Sequence, residues 1–220
     1  MKAMILCAGR GERMRPLSDT LPKPLLEVRG KPLLLWHVER LRACGFSDII
    51  INIAYLGYKI SEYLGDGSKY GVHIHYSDEQ DSGALESAGG IIKALPLLGE
   101  EPFLVVNGDV FCDYDFDPSF DLGDKLAHLI LVPNPEHNLN GDFGLQNFLL
   151  INENQVKYTF SGIGYYSPGL FEGLRCEKLP LAPILREKAE EKKISASLYL
   201  GMWNDIGTPK RLKEINMDTR

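Results

Sequence analysis

Long hydrophobic runs are missing from this sequence. No apolar stretch approaches the roughly 20 residues needed to cross a bilayer, and Met1-Lys2 leads into a short apolar run rather than a signal peptide. A membrane partner is therefore not expected, and the expected location is cytoplasmic. Cysteine is scarce: Cys7, Cys44, Cys112 and Cys176 stand far apart with no Cys-x-x-Cys spacing, which indicates neither a zinc site nor a disulfide framework and fits a reducing compartment. An excess of positive charge is lacking too. With 24 Lys+Arg against 30 Asp+Glu, a net charge of −6 and a pI near 5.4, nucleic acid is not the expected partner. The five histidines, His37, His73, His75, His128 and His137, form no ligand-like cluster, and His37, on a helix face, and His73 and His75, on one face of a strand, are read as structural. No repeat, low-complexity tract or linker is present, and no pattern specifies an oligomeric state.

What is present begins at the N-terminus. The 220 residues, 44% hydrophobic and 25% charged, suffice for one domain with a full core, expected to span 1–220. Positive charge is concentrated between Arg10 and Lys31, which suits a small anionic ligand. Met4-Ile5-Leu6 reads as a short buried strand that breaks at Gly9 and Gly11 into a loop bearing Arg10, Arg13 and Arg15. Glycines let backbone N–H groups approach an anion, and guanidinium groups add charge where a polyphosphate would lie. Lys23 follows between Pro22 and Pro24, on a stiff stretch of backbone. Cys7, at the edge of this loop, reads as a small core-facing thiol rather than a nucleophile.

Further along, helices are expected over Leu33–Cys44 and Tyr55–Leu64, and strands over Asp48–Ile53 and Val72–Tyr76. Strand, helix, strand, helix, strand describes βαβ units, so the expected fold class is α/β, Rossmann-like, with a mixed, mainly parallel sheet flanked by helices. Residues 77–85 have loop composition. A helix over Glu86–Leu98 opens Glu86-Ser87-Ala88-Gly89-Gly90, and paired glycines in a first turn suggest close approach by a ligand or another backbone. Phe103–Val106 is a strongly apolar strand that ends in Asn107-Gly108-Asp109. Ligands bind outside the carboxyl ends of parallel strands, where a carboxylate such as Asp109 can hold a hard divalent cation, although Asn-Gly-Asp by itself is also a common turn. Strands follow over Ala127–Val132 and Val156–Phe160, and a charged helix over Leu181–Lys192.

CAGRGERMRP followed by PKPLLEVRGKP resembles the signature of the sugar-1-phosphate nucleotidylyltransferases: G-x-G-x-R-[ML]-R-P, then P-K-P, then G-K-P. The resemblance extends over nearly the whole chain. It implies the nucleotide-diphospho-sugar transferase fold. It also implies nucleotide contacts from Ala8, Gly9, Gly11, Glu12, Arg13 and Lys23, and a small-residue cluster at Ser87-Ala88-Gly89-Gly90 against the base. Ala88 departs from the all-glycine version. Glu79 is a candidate to accept the N3–H of uracil, or guanine's N1–H. Trp203-Asn204-Asp205-Ile206-Gly207-Thr208-Pro209 resembles the family's W-x-D-x-G-T, so Asp205 is expected to join Asp109 as a Mg²⁺ ligand. Thr208 can also cap a last helix, with Pro209 at its first position. Gly141-Asp142-Phe143 and Thr159-Phe160-Ser161-Gly162-Ile163 resemble one branch, which transfers uridylyl groups to N-acetylmuramate α-1-phosphate in bacterial cell-wall recycling. Asn107, Asp142, Ser161 and Gly162 are the expected sugar contacts. The E-K-P element of glucose-1-phosphate branches is absent. Several relatives carry a C-terminal β-helix, for which the residues after Gly207-Thr208-Pro209 leave no room, so a minimal transferase is expected.

The chemistry implied needs no general base, because a phosphate monoester, with a second pKa near ~6, is already an anion. Its demands are charge neutralisation and in-line positioning. Arg13 is expected on the β- and γ-phosphates and Lys23 on the α-phosphate and sugar phosphate. The expected partners are UTP and a sugar 1-phosphate. Transfer of guanylyl to mannose 1-phosphate and a non-catalytic sugar-nucleotide sensor are the rival readings. The four groups Arg13, Lys23, Asp109 and Asp205 argue against the sensor.

Overall fold

Alternation along short apolar strands decides which core each side chain enters. In the computed structural model, which describes residues 1–81 and 83–217, β1 (Lys2–Leu6) sends Ala3 and Ile5 to one side of the sheet and Met4 to the other. Ser82, inside the expected 77–85 loop, and residues 218–220 lie outside the described residues. β2 (Asp48–Ile53) divides likewise, with Ile49, Ile51 and Ile53 on the first side and Ile50 on the second. Both faces are covered, which is why these strands read as near-continuous hydrophobic runs.

Seven further strands complete one nine-stranded sheet: β3 (His73–Asp78), β4 (Phe103–Asn107), β5 (Ala127–Val132), β6 (Phe143–Gln146), β7 (Leu149–Ile151), β8 (Lys157–Tyr166) and β9 (Ile194–Leu198). Their order is β3-β2-β1-β4-β8-β5-β9-β7-β6. The first four run parallel. β8 enters antiparallel to β4 and β5, β9 returns parallel to β5, and β7 and β6 close the edge antiparallel. The sheet is thus mixed, as expected, with its parallel character concentrated in the N-terminal half. α1 (Leu33–Ala43) and α2 (Gly57–Leu64) cover one face, and α3 (Glu86–Leu98) and α4 (Leu181–Glu190) the other. α5 (Pro209–Met217) sets Leu212 and Ile215 against Met14, Val28, Phe111 and Ile206 in a smaller third cluster.

Most departures from expectation lie at ends. α2 starts at Gly57 rather than Tyr55 because Leu56 is left-handed, at φ +53°. α4 stops at Glu190, two residues short, and Lys192 beyond it has φ +57°. β3 runs two residues into the expected loop. Residues expected as a strand followed by a pocket segment form the single strand β8, whose register with β5 shifts between Phe160 and Ile163 where Gly162 takes φ +79°. After β3 the chain crosses β2 and β1 to reach β4. Strand order therefore reverses between β1 and β4, and the crevice outside their carboxyl ends is the natural ligand site.

His128 on β5 is buried, with Nδ1 2.8 Å from Ser195 Oγ and Nε2 3.0 Å from Ser197 Oγ. Burial pulls its pKa from 6.5 to about 4. His37 on α1 is lowered to about 4 as well, by burial that outweighs the opposite pull of Asp109. Both imidazoles stay neutral in the fold while the unfolded chain takes up protons near 6.5. Their contribution to stability is therefore complete above that pH and is lost as pH falls toward 4. The unfolding midpoint should drop between pH 7 and pH 5, and His128→Gln should flatten that slope. A variant as steep as wild type would show that His128 is not held neutral.

Candidate active site

Two loops meet at the crevice. β1 ends at Leu6, which is in register with Asn107 at the end of β4. The Asn107-Gly108-Asp109 turn lies against the first loop so closely that a Cβ on Gly108 would come within 2.7 Å of the Leu6 carbonyl and 2.8 Å of Cys7 Sγ. Glycine is required here by space. At Gly11 it is required by conformation: φ +68° turns the chain into a short 3₁₀ segment, Glu12–Met14. The Gly11 carbonyl accepts from Met14 N and Ser18 Oγ, both at 2.8 Å. Lys23, in a second 3₁₀ turn between the prolines, crosses beneath Gly11 and brings Nζ to 2.6 Å from Asp109 Oδ2.

The loop arginines divide by partner. Arg10 pairs with Glu12 at 3.1 Å and Arg15 with Asp19 at 2.8 Å. Arg13 is exposed and, among the described residues, has no carboxylate within 4 Å. It lines a cavity of about 480 Å³ with Gly9, Gly11, Glu12, Lys23 and Ser87. It also borders an adjoining cavity of about 370 Å³ that holds Asn107, Asp109, Asp142, Gly162 and Asp205.

Asp205 arrives from the far end of the chain. Trp203–Asp205 pairs antiparallel with Val110–Cys112, which places Asp205 opposite Val110, and Ile206 N donates to the Asp109 carbonyl at 2.8 Å. Asp205 Oδ2 accepts from Arg211 Nη1 at 3.1 Å and lies 3.3 Å from His137 Nε2. Its Oδ1 is buried with no hydrogen-bond partner. Among the described residues no group of three or more His, Cys, Asp or Glu forms a metal cage. Two carboxylates, one with an orphaned oxygen, are hard donors suited to a cation that keeps waters and takes its remaining ligands from phosphates.

The crevice, loop, lysine and carboxylate pair belong to a chain whose family the comparisons with known proteins show. A protein-family model described as nucleotidyl transferase matches residues 2–158. This chain belongs to that family. The N-acetylmuramate alpha-1-phosphate uridylyltransferase of Neisseria meningitidis serogroup B is 52% identical over 97% of this chain and 96% of its own. The mannose-1-phosphate guanyltransferase of Hypocrea jecorina is 30% identical over 96% of this chain, which spans 62% of that longer protein. In fold, this nucleotidyl transferase superposes on a Bacillus anthracis protein assigned as a glucose-1-phosphate thymidylyltransferase, with TM-score 0.86 and 24% identity over 98% of this chain and 94% of that one. It also superposes on the inositol-1-phosphate CTP transferase of T. maritima, with TM-score 0.76 and 15% identity over 100% and 97%.

The structure brings Ala8, Gly9, Gly11, Glu12, Arg13, Lys23, Ser87, Asn107, Asp109, Asp142, Gly162 and Asp205 to these cavities. It corrects three other expectations. Glu79 is 0% exposed, its Oε1 accepting from Asn52 Nδ2 at 2.7 Å and its Oε2 from Leu85 N at 2.8 Å, so it cannot meet a base edge. Ala88 is fully buried in α3, and its N–H is taken by the Leu179 carbonyl at 3.0 Å. Ser161 borders the cavity of about 370 Å³ but is only 1% exposed, and its hydroxyl is given to the Ile130 carbonyl at 2.7 Å inside the β8 bulge, so its side chain supports the sugar side rather than offering a contact. The paired glycines answer to neighbouring protein: a Cβ on Gly89 would strike the Glu177 carbonyl, and one on Gly90 would sit 2.7 Å from Glu79 Oε1.

Asn52, His137 and Arg211 escaped the sequence reading. Asn52 had a signal, a lone polar residue in the run DIIINI. It accepts from Cys7 N at 2.6 Å while donating to Glu79, and so ties the phosphate loop to the start of α3. His137 belongs to no cluster in the sequence, yet it stands beside Asp205 and Arg211. Burial, reinforced by Asp109, pushes the Cys7 thiol far above its ordinary range, which makes it inert. Asn52→Leu leaves Glu79 Oε1 and Cys7 N buried without their partner. It should cost about 2–4 kcal/mol, lower the melting point, and weaken nucleotide binding. Unchanged melting would show that this bridge carries no load.

Proposed function

We propose that this chain transfers the uridylyl group of UTP to N-acetylmuramate α-1-phosphate, releasing pyrophosphate, and that residues 1–220 act as one transferase unit. The observation that carries this reading is 52% identity, across 97% of the chain, to an enzyme of that name. We infer from this reading that the protein works in the cytoplasm, in reuse of cell-wall sugars.

The sugar phosphate attacks the α-phosphorus of UTP already ionised. The residues must therefore hold two polyanions together and orient them in line with the departing pyrophosphate. The glycine loop offers backbone N–H groups, and Arg13, the loop arginine without an acid partner among the described residues, takes the β- and γ-phosphates. Lys23 Nζ, 2.6 Å from Asp109 Oδ2, lies where the α-phosphate and sugar phosphate converge. Its position is set before substrate arrives, because prolines flank it and Gly11 packs on its stem. Asp109 and Asp205 fit Mg²⁺, which when bound supplies charge neutralisation between the reacting phosphates. Arg211 and His137 steady Asp205 from the side away from its orphaned oxygen. Ser87 and Ala84 border the base end of the cavity, and Asn107, Asp142 and Gly162 the sugar end.

Pyrophosphate release is measured with Mg²⁺, UTP and N-acetylmuramate α-1-phosphate, beside wells of N-acetylglucosamine 1-phosphate with UTP and of mannose 1-phosphate with GTP. The first pair should react fastest. Fast release in another well would overturn the sugar or base assignment, and silence in all wells with UTP bound would support a sensor. Lys23→Met, Asp109→Asn and Asp205→Asn should each lower the rate about 10²-fold or more. A variant that kept full rate would remove that residue from the chemistry.

A further inference from the structure

A third cavity, of about 310 Å³, opens from the sugar end of the site. It shares Asn107, Asp142, Phe160 and Gly162 with the metal-side cavity, and Ser87 with the nucleotide cavity. Its other walls are largely apolar, among them Leu6, Val105, Phe143, Tyr166, Leu181 and Leu185. Two charged side chains line it, Asp142 and Arg186. Asp142 is already spoken for: Oδ2 accepts from Phe160 N at 2.8 Å and Oδ1 from Asn138 Nδ2 at 3.1 Å.

Arg186, on α4, is held but not neutralised. Its guanidinium carbon stacks 4.7 Å from the centre of the Phe143 ring, and Nη2 donates to the Asp142 carbonyl at 3.2 Å. No carboxylate pairs with it among the described residues, whereas Lys188 on the same helix has Glu187 and Glu191. A guanidinium has five N–H donors in a rigid fork, and one carbonyl uses a single donor. The remaining donors stand at the edge of a cavity whose walls are otherwise mostly hydrocarbon.

We propose that Arg186 is a specificity residue that reads a carboxylate carried by a short apolar arm of the sugar, the arm lying against Phe143 and Leu185. Resting on the function proposed above, this assigns Arg186 to the lactyl group, whose methyl suits the apolar wall and whose carboxylate suits the fork. Stacking on Phe143 fixes the plane of the guanidinium, so little freedom is lost when the carboxylate binds. A sugar without the carboxylate leaves Arg186 as it is in the free protein and forgoes the contact, which yields discrimination through one group.

Arg186→Met keeps an unbranched stem over Phe143 and removes the charge. It should lower kcat/KM for N-acetylmuramate α-1-phosphate about 10- to 100-fold, with KM for UTP and the melting point near wild type. Affinity for UDP-N-acetylmuramate, measured by calorimetry, should fall to that for UDP-N-acetylglucosamine, whose own affinity stays within about twofold. Arg186→Lys should restore part of the preference. Equal losses for both sugar nucleotides would assign Arg186 a purely structural role, and an unchanged preference would place the carboxylate elsewhere; either overturns the proposal. A wild-type enzyme inactive on the muramyl substrate but active on another sugar would instead overturn the proposed function, and this inference with it.

Discussion

Parallel pairing of β1 with β4 is the constraint on which the site depends. The two strands come together because Lys2–Leu6 and Phe103–Asn107 are short, apolar and buried on both faces, and neither core would close without them. Pairing brings two loops from opposite ends of a hundred-residue excursion into contact, and Gly108 supplies the space in which they touch. Everything charged is then hung from that junction. Lys23 reaches Asp109 from the first loop, and Asp205 joins through a two-strand ribbon hydrogen-bonded to the residues just after Asp109.

Behind this charged front lies a second level of organisation made of buried polar groups. Asn52 stands between Cys7 N and Glu79, and Glu79 in turn holds Leu85 N. This chain of contacts runs through three consecutive strands and sets the height of the phosphate loop relative to α3. Buried polar bridges of this kind are costly when half made, and Gly90 keeps room for it by having no side chain. Residues that look like ligands in the sequence therefore act as supports. The cavity itself is lined by Gly9, Gly11 and Ser87.

The cavities differ in how the chain builds them. The glycine loop with Arg13 and Lys23 lies within some thirty residues of the N-terminus, inside the span 2–158 that the family model matches. The sugar end is assembled from β4, β6, β8 and α4, including Phe143 and Arg186. Its chemistry can change without disturbing the phosphate machinery, as expected of function grafted onto a common fold.

By itself the sequence determined the α/β class, the strands of the parallel half, the glycine loop with Arg13 and Lys23, and the two aspartates at 109 and 205. Those features are local: apolar runs of strand length, glycines where φ must be positive, a lysine between prolines, and carboxylates at strand ends. Only the tertiary structure decided that Glu79, Ala88 and Ser161 face inward, because burial depends on which segments pack over them, and those partners lie 27 to 91 residues away along the chain, at 79–52, 161–130 and 88–179. Only the tertiary structure likewise set His137 and Arg211 beside Asp205, and Arg186 over Phe143. These are long-range meetings between side chains, and no spacing along a single strand or helix encodes them.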